Sequence, residues 1–227
     1  MKCRAKPKTS SHKAAFLDRD GTVLEHVPYL NQPSQVRLTA GAAEAIRLFR
    51  QRGYLTIVIT NQSAVARGML DEATLAEIHR VMQAALRAES AEVDAIYYCP
   101  HHPEGEITAY RKVCACRKPE PGLLLQAAAE HGIDLAASVM IGDSIADMQA
   151  GKRAGCTTIL LGAKPEGVEG ECVDMTAESL SEAARRVLAQ ELIRASSTCP
   201  PAKGVPAACG GSLGHPTSGP SPSDSGN

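Results

Sequence analysis

Asp18 and Asp20 stand one residue apart, directly behind the apolar run that ends in Phe16-Leu17 and just ahead of Gly21-Thr22-Val23. That order describes a strand closing in a turn that carries acidic groups, and on a parallel sheet the carboxyl ends of strands are where ligands sit. In an extended chain residues i and i+2 point the same way, so both carboxylates can address one site. If the chain bends just past the strand, one of the two presents its backbone carbonyl instead, and Gly21 supplies the freedom for that bend. Two further polar clusters follow apolar runs in the same manner: Thr60-Asn61-Gln62-Ser63 and Gly142-Asp143-Ser144-Ile145-Ala146-Asp147. Right-handed crossovers place such strand ends along one edge, where they can converge.

Converging Asp18, Asp20 and Asp143 repel one another unless a cation joins them, and hard oxygen ligands favour Mg²⁺. Mg²⁺ in turn favours a phosphate substrate. Thr60 can donate a hydroxyl hydrogen bond to a phosphate oxygen, and Lys118, in Arg117-Lys118-Pro119, can neutralise charge on a phosphoryl group in transfer. In this chemistry Asp18 is the nucleophile that forms an aspartyl-phosphate. Asp20 protonates the leaving oxygen and then activates the water that breaks the intermediate.

A second cluster has metal-ligand spacing of another kind. Cys99-Pro100-His101-His102 and Cys114-Ala115-Cys116 put three thiolates and at least one imidazole in one loop, a tetrahedral set for Zn²⁺. His101 is preferred to His102 because Cys-x-His lets both side chains turn to one centre; the plainer alternative is a free thiol beside a surface histidine pair. Four protein ligands leave no open position for water, so the expected role is structural. The other five of the eight cysteines, Cys3, Cys156, Cys172, Cys199 and Cys209, stand apart from this cluster.

The elements that must position these groups alternate. Periodic apolar spacing predicts helices over Ala42–Arg52 and Glu72–Glu89, the latter N-capped by Asp71, with Gly53 in a C-terminal cap position after the former. Glu120-Pro121-Gly122 opens a third helix that Gly132 closes, Ala146–Ala154 is a fourth stopped by Gly155, and Ser179–Glu182 resembles a capping box for a last one. Strands are expected at Tyr54–Thr60, Ala95–Tyr98, Ser138–Ile141 and Thr157–Leu161. Strand and helix in alternation indicate an α/β fold, a parallel sheet wound on both faces. Residues 14–195 are expected to form this domain, behind a basic lead at 1–13. The Pro-, Gly- and Ser-rich segment 196–227 buries too little apolar area to order itself and is expected to be a disordered tail.

Composition excludes several classes. At 227 residues, 44% hydrophobic and with net charge −1, the chain suits a globular domain with no general attraction to nucleic acid. No apolar run reaches the roughly 18 residues that span a bilayer, and the basic opening lacks the apolar middle of a secretory signal. A cytoplasmic monomer acting on a small molecule is the expectation, with no membrane partner.

Asp18-Arg19-Asp20-Gly21-Thr22, Thr60-Asn61-Gln62-Ser63, Lys118 and Gly142-Asp143-x-x-x-Asp147, in this order, resemble the haloacid dehalogenase (HAD) superfamily of phosphatases. The resemblance implies a HAD-like Rossmannoid sheet with a minimal cap, the same roles for Asp18, Asp20, Thr60 and Lys118, and Asp143 as a magnesium ligand together with Asp18 and the backbone carbonyl of Asp20. It leaves Asp147 as a carboxylate that orients Lys118 or a metal-bound water, or as an ordinary first-turn helix residue. Tyr97-Tyr98-Cys99-Pro100-His101-His102-Pro103, Cys114-Ala115-Cys116-Arg117-Lys118-Pro119 and Ala66-Arg67-Gly68 narrow the likeness to the branch of histidinol-phosphate phosphatases and D-glycero-D-manno-heptose-1,7-bisphosphate 7-phosphatases, over about 14–189. Within that branch these segments, with Thr60-Asn61-Gln62-Ser63, look especially like the heptose enzymes, which implies a sugar-bisphosphate substrate in surface-polysaccharide biosynthesis, read by Arg117 and lined by His26, Tyr29, Asn61, Gln62 and Ser63. Ser144, where the heptose enzymes often have Lys, and Val27-Pro28 depart from its pattern at positions that bear on specificity. Histidinol phosphate is the competing substrate, and a catalytically inactive, zinc-stapled interaction module is the reading from another class.

Overall fold

The computed structural model describes residues 11–163 and 172–197. Six strands form one sheet: β1 (Lys13–Leu17), β2 (Tyr54–Asn61), β3 (Ala95–Cys99), β4 (Val139–Gly142), β5 (Thr157–Leu161) and β6 (Met175–Ala177). Their order is β3-β2-β1-β4-β5-β6, and every pairing is parallel. The helices between them are α1 (Ala42–Gln51), α2 (Ser63–Ala66), α3 (Glu72–Ala88), α4 (Gly122–His131), α5 (Ile145–Ala154) and α6 (Leu180–Ser197).

Both faces of the sheet are covered, and the strand period of two shows it residue by residue. Ala15 and Leu17 of β1, Val58 of β2 and Ile141 of β4 belong to one buried cluster with Ile46, Phe49, Leu75, Ile78, Met82 and Val187 from α1, α3 and α6. Their neighbours Ala14, Phe16, Ile57, Ile59 and Met140 turn to the other face and pack with Leu123, Leu124 and Ala127 of α4 and Ala150 of α5. Such strands read as continuous apolar runs because neither face meets water.

Local signals set most element ends. Asp71 caps α3 by accepting from the Thr74 amide at 2.7 Å. Gly132 and Gly155 close α4 and α5 at φ 63° and 90°, in the left-handed region. At α6 the Ser179 hydroxyl accepts from the Glu182 amide at 3.2 Å, while the Glu182 carboxylate reaches Glu178 N rather than Ser179 N. Among the strands and α-helices described, two have no counterpart in the expected set: β6, three residues long, and the single turn of α2 behind Gln62. The expected lead at 1–13 and tail at 196–227 lie mostly outside the described residues; inside them β1 begins at Lys13 and α6 runs to Ser197.

The order of the strands determines where a ligand can sit. The chain builds outward from β1 to β3, then returns to lay β4 on the other side of β1. The direction of winding therefore reverses between β1 and β4, and the carboxyl ends of that pair flank the crevice where open α/β sheets bind ligands.

Candidate active site

Asp18 follows β1 directly and its amide still pairs with β4, donating to Ile141 O at 2.9 Å. The chain then turns at once: Arg19 O accepts from the amides of Val23 and Leu24, at 3.0 and 2.7 Å. Extended geometry thus ends before Asp20, and of the two arrangements open to the Asp-x-Asp pair the chain adopts the bend. Gly21 has φ 79°, and a Cβ there would lie 2.0 Å from Asp143 Oδ2, so only glycine lets the β4 carboxylate approach the β1 turn. The acidic ends of β1 and β4 are in this way packed against each other.

Lys118 joins them. Its ammonium donates to Asp18 Oδ1 at 2.6 Å and to Ile59 O at 2.7 Å, and pairs with Asp147 Oδ1 at 2.5 Å. The backbone of Lys118 is clamped by Asn61, whose amide group accepts from Lys118 N and donates to Lys118 O, both at 3.0 Å. Asp147 occupies the third position of α5 in a capping box with Ser144, whose hydroxyl donates to Asp147 Oδ2 at 2.6 Å. Asp147 therefore combines two of the roles open to it, helix cap and partner of Lys118. Gly142 is required beneath it, since a Cβ there would stand 2.4 Å from Asp147 Oδ2.

Burial pushes the Asp18 carboxyl up to about 7 against the pull of Lys118, with Asp147 adding to the rise. Burial and then Asp147 raise Asp143 as well. For Lys118 burial acts downward, but Asp147 and Asp18 outweigh it and hold the ammonium charged. One lysine faces three carboxylates, and oxygens of Asp18, Asp143 and Asp147 lie within 4.8 Å of one another. An all-oxygen set short of positive charge fits a hard divalent cation such as Mg²⁺. Both oxygens of Asp147 are engaged, Oδ1 by Lys118 and Oδ2 by Ser144, whereas Lys118 takes only Oδ1 of Asp18, so Asp18 and Asp143 are the side chains available to hold it.

Asp20 sits in a different network. Arg19 donates to Asp20 Oδ1 from Nε at 3.1 Å and to Oδ2 from NH2 at 2.9 Å, a forked pair. Its NH2 also donates to Gln62 Oε1 at 2.9 Å. Arginine has only donors, so the facing atom of Gln62 must be its oxygen, and its Nε2 is turned to Asp20 Oδ2 at 2.9 Å and Thr60 Oγ1 at 2.8 Å. Thr60 accepts there, which leaves its hydroxyl proton for a phosphate oxygen. Arg19 NH1 lies 3.2 Å from Nε2 of His79, on α3, and by the same argument that nitrogen accepts. Neither Arg19 nor His79 is a candidate from sequence. The available signal is His79 itself, a polar residue on the apolar stripe of Leu75, Ile78, Met82 and Leu86.

A cavity of about 320 Å³ opens over these groups, lined among others by Asp18, Asp20, Thr60, Lys118, Asp143 and Asp147. His26, Tyr29, Asn61, Gln62 and Ser63 also line it. Arg117 is not among the lining residues, and its NH1 donates to His101 O at 3.3 Å.

The second cluster stands where the loop after β3 returns to Lys118. Sγ of Cys116 lies 3.3 Å from that of Cys99 and 3.1 Å from that of Cys114, while Cys99 and Cys114 are 3.5 Å apart. His101 Nδ1 is 3.3 Å from Cys116 Sγ and 3.7 Å from Cys99 Sγ. The sulfurs are too far apart for disulfides, whose bonds are about 2.0 Å. A tetrahedron with Zn–S bonds of ~2.3 Å has edges of ~3.8 Å, somewhat wider than these sulfur separations, so a small outward adjustment lets the four donors hold one Zn²⁺. His102 is turned elsewhere, its Nδ1 accepting from Glu104 N at 3.1 Å.

Known proteins resemble this chain in sequence and in fold. A HAD-hydrolase-like family model matches residues 115–183. The D-glycero-beta-D-manno-heptose-1,7-bisphosphate 7-phosphatase of Yersinia pestis is 39% identical over 185 residues, which are 80% of this chain and 98% of that protein. The enzyme of the same name from Escherichia coli K12 is 38% identical over 78% of this chain and 95% of its own length. Among solved structures, the D,D-heptose 1,7-bisphosphate phosphatase from B. bronchiseptica, complexed with magnesium and phosphate, is 35% identical and superposes with a TM-score of 0.67 over 78% of this chain and 99% of that one. By this kinship, and with its strand order and the ends of β1, β2 and β4 arranged as described, the chain belongs to the D-glycero-beta-D-manno-heptose-1,7-bisphosphate 7-phosphatase family of HAD-like hydrolases.

Proposed function

We propose that this protein is a Mg²⁺-dependent phosphatase that removes the 7-phosphate of D-glycero-D-manno-heptose 1,7-bisphosphate through an aspartyl-phosphate on Asp18. The observation that carries the chemistry is the buried Asp18 carboxylate, held 2.6 Å from Lys118 at the crevice between β1 and β4. The names of the relatives carry the substrate.

In the first step a carboxylate oxygen of Asp18 attacks phosphorus, the bond from phosphorus to the sugar oxygen breaks, and Asp20 gives that oxygen its proton. In the second, Asp20 takes a proton from water as the water oxygen attacks the same phosphorus, releasing phosphate and restoring Asp18. Thr60 and Lys118 bind the phosphoryl oxygens throughout. Asp18 and Asp143, with the carbonyl of Asp20, would hold Mg²⁺, which would supply counter-charge to the phosphate and to the carboxylates. His26, Tyr29 and Ser63 lie on the sugar side, with Arg117 reading the far phosphate from the neighbouring loop. The product serves activated-heptose synthesis for surface polysaccharide, in the cytoplasm; among the described residues no helix is long and apolar enough to cross a membrane. A phosphate-release screen with Mg²⁺ tests the substrate: turnover of the heptose bisphosphate should exceed that of histidinol phosphate, and the opposite ranking overturns the sugar assignment.

The Cys99, His101, Cys114 and Cys116 cluster holds a structural Zn²⁺ in this reading. The segment it ties runs without a break into Arg117 and Lys118, so the metal fixes where the catalytic ammonium enters the site. Cys114→Ser is expected to lose the zinc that the native chain carries and to lower phosphatase activity about tenfold or more, as for other losses around a metal site. Metal analysis of the purified variant checks it, and stoichiometric zinc in Cys114→Ser contradicts the ligand set.

A further inference from the structure

The guanidinium of Arg19 is 1% exposed and flanked by two site carboxylates, yet its fork is directed to Asp20, while Asp18 is left to Lys118. A buried cation between two acidic residues is costly unless its donors are all directed. The third direction is supplied by His79, sixty residues away on α3, whose Nε2 accepts from Arg19 NH1 at 3.2 Å. His79 is itself buried, with its ring 5.8 Å from that of Tyr98 on β3. Burial, and then the Arg19 charge, pull its pKa down to about 3, so the ring stays neutral and able to accept throughout the working range.

We propose that His79 is a positioning residue for phosphoryl transfer: by accepting from Arg19 it fixes the guanidinium plane, and through that plane the carboxylate of Asp20 and the amide of Gln62. One element of the core thereby sets two groups at the cavity. Asp20 is clamped by Arg19 and Gln62 in a single orientation, and Gln62 also donates to Thr60 Oγ1. Without an acceptor on α3 one buried donor of the guanidinium is left unpaired, and a shift of the plane toward another partner carries the Asp20 carboxylate with it, out of line with the leaving oxygen. His79 is not among the residues that line the cavity, and in this proposal it acts through Arg19.

This inference rests on the proposed role of Asp20, and its test separates the two. General-acid help matters most for a poor leaving group and little for a good one. The second-order constant kcat/KM reports steps up to formation of the aspartyl-phosphate, where the leaving group departs, so it isolates the acid role of Asp20 from its later role as base. The full chain, loaded with Zn²⁺ and Mg²⁺, is assayed with 4-nitrophenyl phosphate, a good leaving group, and with glycerol 3-phosphate, a poor one. His79→Leu is expected to lower kcat/KM for the alkyl ester about tenfold and that for the aryl ester less than about twofold, and His79→Gln, which restores an acceptor, should recover most of the loss. Equal losses on both esters, no loss, or failure of His79→Gln to recover the alkyl ester overturn the proposal. If His79→Leu does not fold, Arg19→Lys, which keeps the charge but not the fork, is read in its place, again with an alkyl-selective loss expected and an equal loss contradicting it. The comparison uses generic esters and is independent of which sugar is the natural substrate; turnover retained by Asp18→Asn would strike the proposed chemistry itself.

Discussion

Asp18→Asn is expected to lose phosphatase activity by more than about 10⁴-fold while the protein remains folded, since removal of a nucleophile costs far more than removal of any group that assists it. The fold should hold because the amide keeps the size of the carboxyl group and Lys118 retains its pair with Asp147 at 2.5 Å and its bond to Ile59 O at 2.7 Å. Burial already opposes the charge of Asp18, and Asp147 opposes it further. A neutral side chain at this position relieves that strain, so without Mg²⁺ the variant should resist urea at least as well as the native protein. Phosphate release and urea denaturation on the same preparation check both halves. Activity within tenfold of native would exclude Asp18 as nucleophile.

Lys118→Met should do damage of the opposite kind, to stability as well as to rate. Lys118 is 4% exposed and is the cation that both Asp18 and Asp147 contact. Its removal leaves two buried carboxylates facing each other, and breaking a buried ion pair from one side costs about 3–5 kcal/mol. Loss of its charge from the phosphoryl oxygens should lower kcat by about 10²–10³-fold, the usual effect of removing one such electrostatic contact. The double variant Lys118→Met/Asp147→Asn separates the two effects. Stability should return in large part, because one of the stranded charges is gone, whereas activity should not. Denaturant midpoints for the two single variants and the double one measure the coupling; additive losses would mean that Lys118 and Asp147 do not act on each other.

The parts of this protein that were legible in its sequence are those whose cause is local. β2 and β4 were visible as short apolar runs because strands buried on both faces carry little else, and α3 and α5 through the capping residue and the closing glycine. The Asp-x-Asp, Thr-Asn-Gln-Ser and Gly-Asp clusters could be grouped because strand order alone carries their ends to one edge. The Cys/His cluster was legible for a simpler reason, since Cys99, His101, Cys114 and Cys116 lie within one loop.

What was not legible depends on packing between distant segments. β6, Met175–Ala177, is too short to show a period and exists because β5 offers it an edge. Gln62 and Asn61 read as substrate-side polar groups, but the fold also uses each as a brace, Asn61 on the Lys118 backbone and Gln62 between Arg19, Asp20 and Thr60. Arg19 has no role assigned from the sequence, and nothing in the neighbouring residues announces that His79 on α3 will meet it. Ser144 stands where a lysine was expected from the resemblance, and the structure gives it a different task, capping α5 through Asp147.

In the proposed mechanism the phosphoryl group passes through Asp18, and an acyl phosphate can be caught directly. Enzyme quenched during turnover and reduced with borohydride converts a phosphorylated aspartate into homoserine, which peptide mass spectrometry locates. Homoserine at position 18, formed only when substrate and Mg²⁺ are both present, is the expected result. Unmodified Asp18 in enzyme that was releasing phosphate, or homoserine at another carboxylate, would contradict it.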